Sequence, residues 1–158
     1  MKIKDFSEIE EEFIQRVHTM VLCSAATVDS RQRPRSRILH PYWEGLTGWV
    51  ATHRNSYKSK NLERNPYISL AYTANPMNPV YADCTATWID DLDQKHRVWA
   101  LFKNAPPPLG FDPAQDYVSA DHESFGLLKL KPWRIALVSF PAPSHEVGQR
   151  IWHSQEES

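Results

Sequence analysis

The chain has 158 residues, 41% of them hydrophobic, which suits one well-buried core and is short for two, so it reads as a single domain over 1–158. Its 18 Lys and Arg against 19 Asp and Glu leave a formal charge of −1, so no global basic field exists to gather nucleic acid or anionic lipid, and any anion site has to be local. The opening MKIKDFSEIEEEF lacks the apolar core of a signal peptide, and no later stretch is apolar for long enough to cross a bilayer; both point to a cytoplasmic protein.

In chain order, SEIEEEFIQRVHTM places Ser7 at a capping position with Glu10 three residues on, and sets Ile9, Phe13, Val17 and Met20 on one face. This predicts an amphipathic helix. VLCSAATV (21–28) is a compact strand-like run, DSRQRP (29–34) supplies turn chemistry, and a second run begins at Arg35, which together predict a hairpin. ILHPYW (38–43) and LTGWVAT (46–52), separated by Glu44-Gly45, are two further extended pieces. A short helix follows from Ser56 to the Asn65-Pro66 pair, and YISLAYT (67–73) alternates as a strand does.

VYADCTATW carries the clearest alternation, with Val80, Ala82, Cys84, Ala86 and Trp88 facing one way, as in a half-buried strand. KHRVWALF is helical, with Val98, Leu101 and Phe102 on its apolar side. APPPLGFDP (105–113) excludes regular structure, because its prolines fix an extended loop and Gly110 permits a bend. FGLLKLK and WRIALVSF, split by Pro132, read as two closing strands. About six strands with short links imply antiparallel pairing, and so little helix suggests a small barrel in a mainly β (α+β) fold. Cys23 and Cys84 lie inside apolar runs and read as small buried hydrophobes.

One segment carries chemistry. In THRNSYKSKNLERNP (52–66), Arg54, Lys58 and Lys60 surround a helix start, where the unpaired N–H groups are already partly positive. Hydroxyls, backbone N–H groups and an ammonium at one turn suit a phosphate. A solvated polar loop is the alternative that spacing alone leaves open. The seven histidines, His18, His40, His53, His96, His122, His145 and His153, form no metal-binding spacing, so no metal site is expected. Basic residues are not interleaved with exposed aromatics in the manner of a nucleic-acid surface.

Three stretches resemble the pyridoxamine 5'-phosphate oxidase-like family of flavin mononucleotide (FMN) proteins. They are Pro34-Arg35-Ser36-Arg37-Ile38-Leu39; Ala51-Thr52 with Ser56-Tyr57-Lys58 and Leu62-Glu63-Arg64-Asn65-Pro66; and ADCTATWIDD followed by a helix containing Trp99. The resemblance covers most of the chain up to about Trp99. It implies a six-stranded antiparallel split β-barrel with flanking helices, a single FMN-binding domain and a homodimer with cofactor sites at the subunit interface. It further implies that Arg37, Ile38 and Leu39 run beside the flavin ring, that Ala51, Thr52 and Ser56 approach the ribityl chain or phosphate, and that Lys58 pairs with the phosphate. His40 is a candidate for the pyrimidine edge of the flavin. Where the oxidase itself often has arginine beside the lysine, this chain has Tyr57, which leaves either a weaker phosphate site or one completed by Arg54. The oxidase's C-terminal substrate segment has no convincing counterpart in Gln149-Arg150-Ile151-Trp152-His153, which argues against vitamin B6 as substrate. Trp152 either covers the flavin from the partner subunit or plugs the dimer interface.

Flavin chemistry asks little of side chains, so no triad is needed. The expectation is an FMN-dependent oxidoreductase acting on a small organic substrate, with NAD(P)H as electron donor. Two alternatives accompany it. One is a non-catalytic flavin- or haem-binding stress or storage protein. The other is a deazaflavin-dependent reductase whose longer acidic cofactor tail would use Arg54, Lys60 and Arg64.

Overall fold

A computed structural model describes residues 1–144 and 148–157. Its first strand, β1 (Lys2–Ile3), leads into a 3-10 turn over Phe6–Glu8 and then helix α1 (Glu10–Met20). The predicted cap is displaced: Asp5, not Ser7, accepts the backbone N–H at this entry, and Glu8 reaches back to complete a capping box. A carboxylate two residues earlier closes the tighter 3-10 turn, so the α-helix begins later than the Ser7 signal indicates. Ile9, Phe13 and Val17 are buried along one stripe, as the periodicity requires.

The hairpin forms from β2 (Cys23–Val28) and β3 (Pro34–Leu39), paired antiparallel with Cys23 opposite Leu39. The predicted piece 38–43 divides at His40-Pro41, after which β4 (Tyr42–Glu44) pairs with β5 (Thr47–His53). Helix α2 (Tyr57–Arg64) follows, then β6 (Tyr67–Tyr72), β7 (Val80–Ile89) and α3 (Leu92–Asn104). The Pro-rich loop delivers a four-residue helix, α4 (Ala114–Tyr117), before β8 (Phe125–Val138) and β9 (Gln149–His153).

Nine strands, not six, make up the sheet among the described residues. The path runs β1-β9-β8-β7-β6-β2-β3, and a branch carries β4 and β5. The long strand β8 explains the branch. Along one edge it pairs with β7; along the other, its first half pairs with β5 and its second half with β9. One strand shared by two neighbours splits the open, barrel-like sheet. The two closing strands expected on either side of Pro132 are therefore one strand. Pro132 sits opposite Cys84 where the β7–β8 register shifts, and a bulge tolerates a residue without an N–H.

Residues Phe125–Leu128 of β8 are buried consecutively because both faces are covered. Leu128 and Leu130 join the main core with Phe13, Trp43, Leu70, Tyr72 and Val80. Phe125 and Leu127 join a second cluster with Trp49 of β5, Val98 and Phe102 of α3, and Tyr117 of α4. Inside the main core, Trp43 Nε1 donates to the Tyr72 hydroxyl at 2.9 Å. Cys23 and Cys84 are both free and buried, and burial pushes the Cys23 thiol up to about 12. No helix among the described residues is long and apolar enough to cross a membrane.

Candidate functional site

Strand β3 ends the sheet path and, among the described residues, has β2 as its one strand neighbour, so part of its main chain is left open to a ligand. Beside it, the end of β5 turns through residues 54–56 into α2. Ser56 caps that helix, accepting from Ser59 N at 3.3 Å. Between these elements lies a cleft of about 320 Å³, within the range of roughly 300–1,000 Å³ usual for small-molecule sites. Arg37, Ile38, Leu39, His40, Ala51, Thr52 and Lys58 line it, with Leu22, Phe111, Asp116 and Tyr117.

Seven of the ten residues singled out in the sequence thus meet in one place. Leu39 turns its side chain into the core, so it can offer a ligand its main chain only. Ile38 points the other way and is 64% exposed. The remaining three stand elsewhere. Ser56 is engaged as a helix cap, and Tyr57, 87% exposed, lines a neighbouring cleft. Trp152 is 7% exposed and packs edge-on against Phe6 at 5.6 Å inside its own chain's core. Its place in β9 beside β8 directs it inward, so in this fold it is a core residue of its own chain.

The electrostatics of the cleft are those of an anion site. Lys58 Nζ donates to the Thr52 hydroxyl, and burial together with the Arg37 charge brings the ammonium down to about 8. Arg37 Nη1 donates to Thr27 Oγ1 at 2.7 Å and to Ala25 O at 3.4 Å. Burial and neighbouring Arg35 lower the pKa of its guanidinium. Neither cation has a salt-bridge partner among the described residues. Two half-buried charges of one sign are unfavourable together unless an anion joins them.

Arg54 does not complete this set. It donates to Ser59 Oγ at 2.7 Å and pairs with Glu63 at 3.2 Å, and its guanidinium lies 4.4 Å from the centre of the Trp88 ring. Engaged by these partners and absent from the cleft lining, it is neither the missing phosphate contact nor a surplus cation.

The opposite wall comes from the Pro-rich loop. His40 Nε2 donates to Leu109 O at 2.6 Å, and its ring stands 5.1 Å from that of Phe111. Burial keeps the His40 pKa below the usual histidine range, so the ring is neutral with Nδ1 as its open acceptor. Tyr117 donates from its hydroxyl to Ala51 O at 3.1 Å, and burial with nearby Asp116 raises the phenol to about 12. Phe111, Asp116 and Tyr117 are absent from the sequence-derived set, because neither periodicity nor motif places an irregular loop against a strand 60 residues earlier. The aromatic residue after Gly110 was the available signal. Among the described residues no group of three metal-ligating side chains exists; His145 lies outside them.

A family model described as pyridoxamine 5'-phosphate oxidase matches residues 7–139. The chain belongs to the pyridoxamine 5'-phosphate oxidase family. The match contains every residue that lines the cleft and leaves out β1 and β9, and with them Trp152. No curated protein matches the chain. Among solved structures, a Clostridium acetobutylicum protein related to general stress protein 26 of Bacillus subtilis is similar over 98% of this chain and 99% of its own. Its TM-score is 0.72 at 14% identity. A Nostoc punctiforme FMN-binding protein related to pyridoxamine 5'-phosphate oxidase covers 93% and 96%, with TM-score 0.65 and 14% identity. The haem storage protein HutZ of Vibrio cholerae covers 78% of this chain and 89% of its own, with TM-score 0.62 and 20% identity. At these identities the likeness is one of fold.

Proposed function

We propose that this member of the pyridoxamine 5'-phosphate oxidase family is an FMN-dependent oxidoreductase that acts on a small organic substrate with NAD(P)H as electron donor. The observation that carries the reading is the pair Arg37 and Lys58, two half-buried cations without an acid partner among the described residues, at the cleft between the β3 edge and the start of α2. That donor set fits a phosphorylated ligand with a flat ring. Lys58 and Thr52 would hold the phosphate, the main chain of Arg37–Leu39 would border the ring, and His40 Nδ1 would accept from its polar edge. The bound flavin supplies hydride acceptance and donation. This chain's residues orient it, and Phe111 and Tyr117 shield it from water.

The subunits of this reading form a homodimer. Ile38 and Leu22, 64% and 49% exposed on the cleft wall, support a partner subunit that covers them and shares the site. A non-catalytic flavin- or haem-holding role is the second reading. His40, an open imidazole nitrogen inside the cleft, favours its haem form.

The test is the visible spectrum of the purified protein with mass identification of the molecule released on denaturation. Flavin bands, an FMN mass and reduction by NAD(P)H with reoxidation by oxygen or substrate support the enzyme. A Soret band, or flavin that NAD(P)H leaves oxidised, supports the holding protein. A colourless protein that takes up neither overturns both.

A further inference from the structure

A second cleft, about 440 Å³, adjoins the first and shares Arg37 with it. Its lining is Asp29, Ser30, Arg35, Arg37, Tyr57, Lys60, Asn61 and Arg64. Four of these are cations, and Arg35, Lys60 and Arg64 have no ion-pair partner among the described residues. The nearby acids do not neutralise them. Asp29 is taken up by Arg33, whose Nε donates at 2.9 Å, and by the backbone N–H groups of Arg31 and Arg33. Glu63, on the same helix, pairs with Arg54 instead.

Two further features point to a ligand of defined shape. Asn61 is only 9% exposed and lines the cleft, yet its side-chain amide makes no hydrogen bond among the described residues. Tyr57 presents an almost fully exposed ring at the same wall, with Lys60 Nζ 5.9 Å from its centre. Arginine forks and an ammonium match phosphate oxygens, an exposed ring offers a stacking face, and an unpaired amide on the cleft wall reads a polar edge.

We infer that this second cleft binds the pyrophosphate and distal nucleoside of a dinucleotide. The pyrophosphate lies on Arg35, Lys60 and Arg64, the distal ring on Tyr57, and the amide of Asn61 meets a polar edge of the nucleoside. The shared residue Arg37 joins the cleft to the flavin site, so the inference rests on that reading for the identity of what lies next door. The dinucleotide is either the cofactor itself in its adenylated form or the nicotinamide donor.

ADP-ribose and inorganic pyrophosphate, titrated calorimetrically into the full chain, test the cleft without requiring flavin. Both are expected to bind, and Lys60→Gln with Arg64→Gln is expected to weaken them roughly tenfold or more, as loss of charge-assisted contacts implies. Lys58→Gln, which strikes the first cleft, is expected to weaken FMN while leaving ADP-ribose binding intact, so failure of the flavin reading is separable. FAD binding tighter than FMN, with the advantage lost in the double variant, identifies the cofactor as the source. Equal FAD and FMN affinities, with ADP-ribose competing against NAD(P)H, identify the donor. Absence of ADP-ribose and pyrophosphate binding up to about 10 mM, or identical binding by the double variant, overturns the inference.

Discussion

The ammonium of Lys58, in the first turn of α2, donates to the hydroxyl of Thr52, near the end of β5, and so ties the helix start to the strand that walls the cleft. Thr52 is buried, and Lys58 has no carboxylate partner among the described residues. The contact positions a cation without neutralising it.

Lys58→Gln is expected to stay folded, because an amide at this place can still donate to Thr52. It is expected to lose flavin affinity by roughly tenfold or more, since the contact to a dianionic phosphate loses its charge. Fluorescence titration with FMN measures the loss, and circular dichroism confirms the fold. Full flavin occupancy in a folded variant would remove Lys58 from the site.

Affinity for a phosphorylated flavin is expected to depend on alkaline pH. The ligand-free ammonium titrates at about 8, below its ordinary value, and a bound phosphate raises it again. The complex therefore holds a proton that the free protein releases. Affinity is full below about 8 and falls as pH rises above it, by at most tenfold per unit for one proton. Dissociation constants measured across this range check the trend, and Lys58→Gln should flatten it. An equal slope in that variant would assign the titration to another group.

Gly110→Ala is expected to open the Pro-rich loop. A Cβ there would lie 1.8 Å from Ala105 O, where the backbone also carries the bond from Gly110 N to Pro106 O. Relief requires the loop to move, at a cost of about 1–3 kcal/mol, and displaces Leu109 from His40. His40, less buried, should titrate closer to the ordinary histidine value. Thermal melting and an NMR titration of the His40 ring report both effects; an unshifted His40 would show that the loop does not set that wall.

Arg16 is a stability residue remote from the cleft. Only 9% exposed, it donates to Val138 O at 2.7 Å, to Ser139 Oγ at 3.1 Å and to Glu12 at 2.6 Å, tying α1 to the end of β8. Arg16→Ala leaves Val138 O and Ser139 Oγ without this donor, while Glu12 keeps Arg150, and is expected to cost roughly 3 kcal/mol. Denaturant midpoints should move accordingly, with flavin affinity unchanged once the protein is folded. A midpoint like that of the parent would mean that water replaces the guanidinium at no cost.

Most of the elements and most of the cleft were legible in the sequence. Period-two burial marked β6 and β7, and the apolar stripe of Ile9, Phe13 and Val17 marked α1, because these patterns are set by side-chain geometry within one element. Thr52 and Lys58 were legible as a phosphate site because they lie in one short segment whose chemistry is local, whereas Arg37–His40 and Ala51 were legible only through the family resemblance. The tertiary structure decided what depends on contacts between distant segments. Pro132 breaks a strand in isolation, but a register shift opposite Cys84 accommodates it, and two expected strands become one. Arg54 reads as a free cation, but Glu63 and Trp88 hold it aside. Trp152 reads as a tail residue reaching outward, but pairing with β8 turns it into the core. Phe111 and Tyr117 carry no periodic signal, and it is the path of the loop that brings them to the cleft.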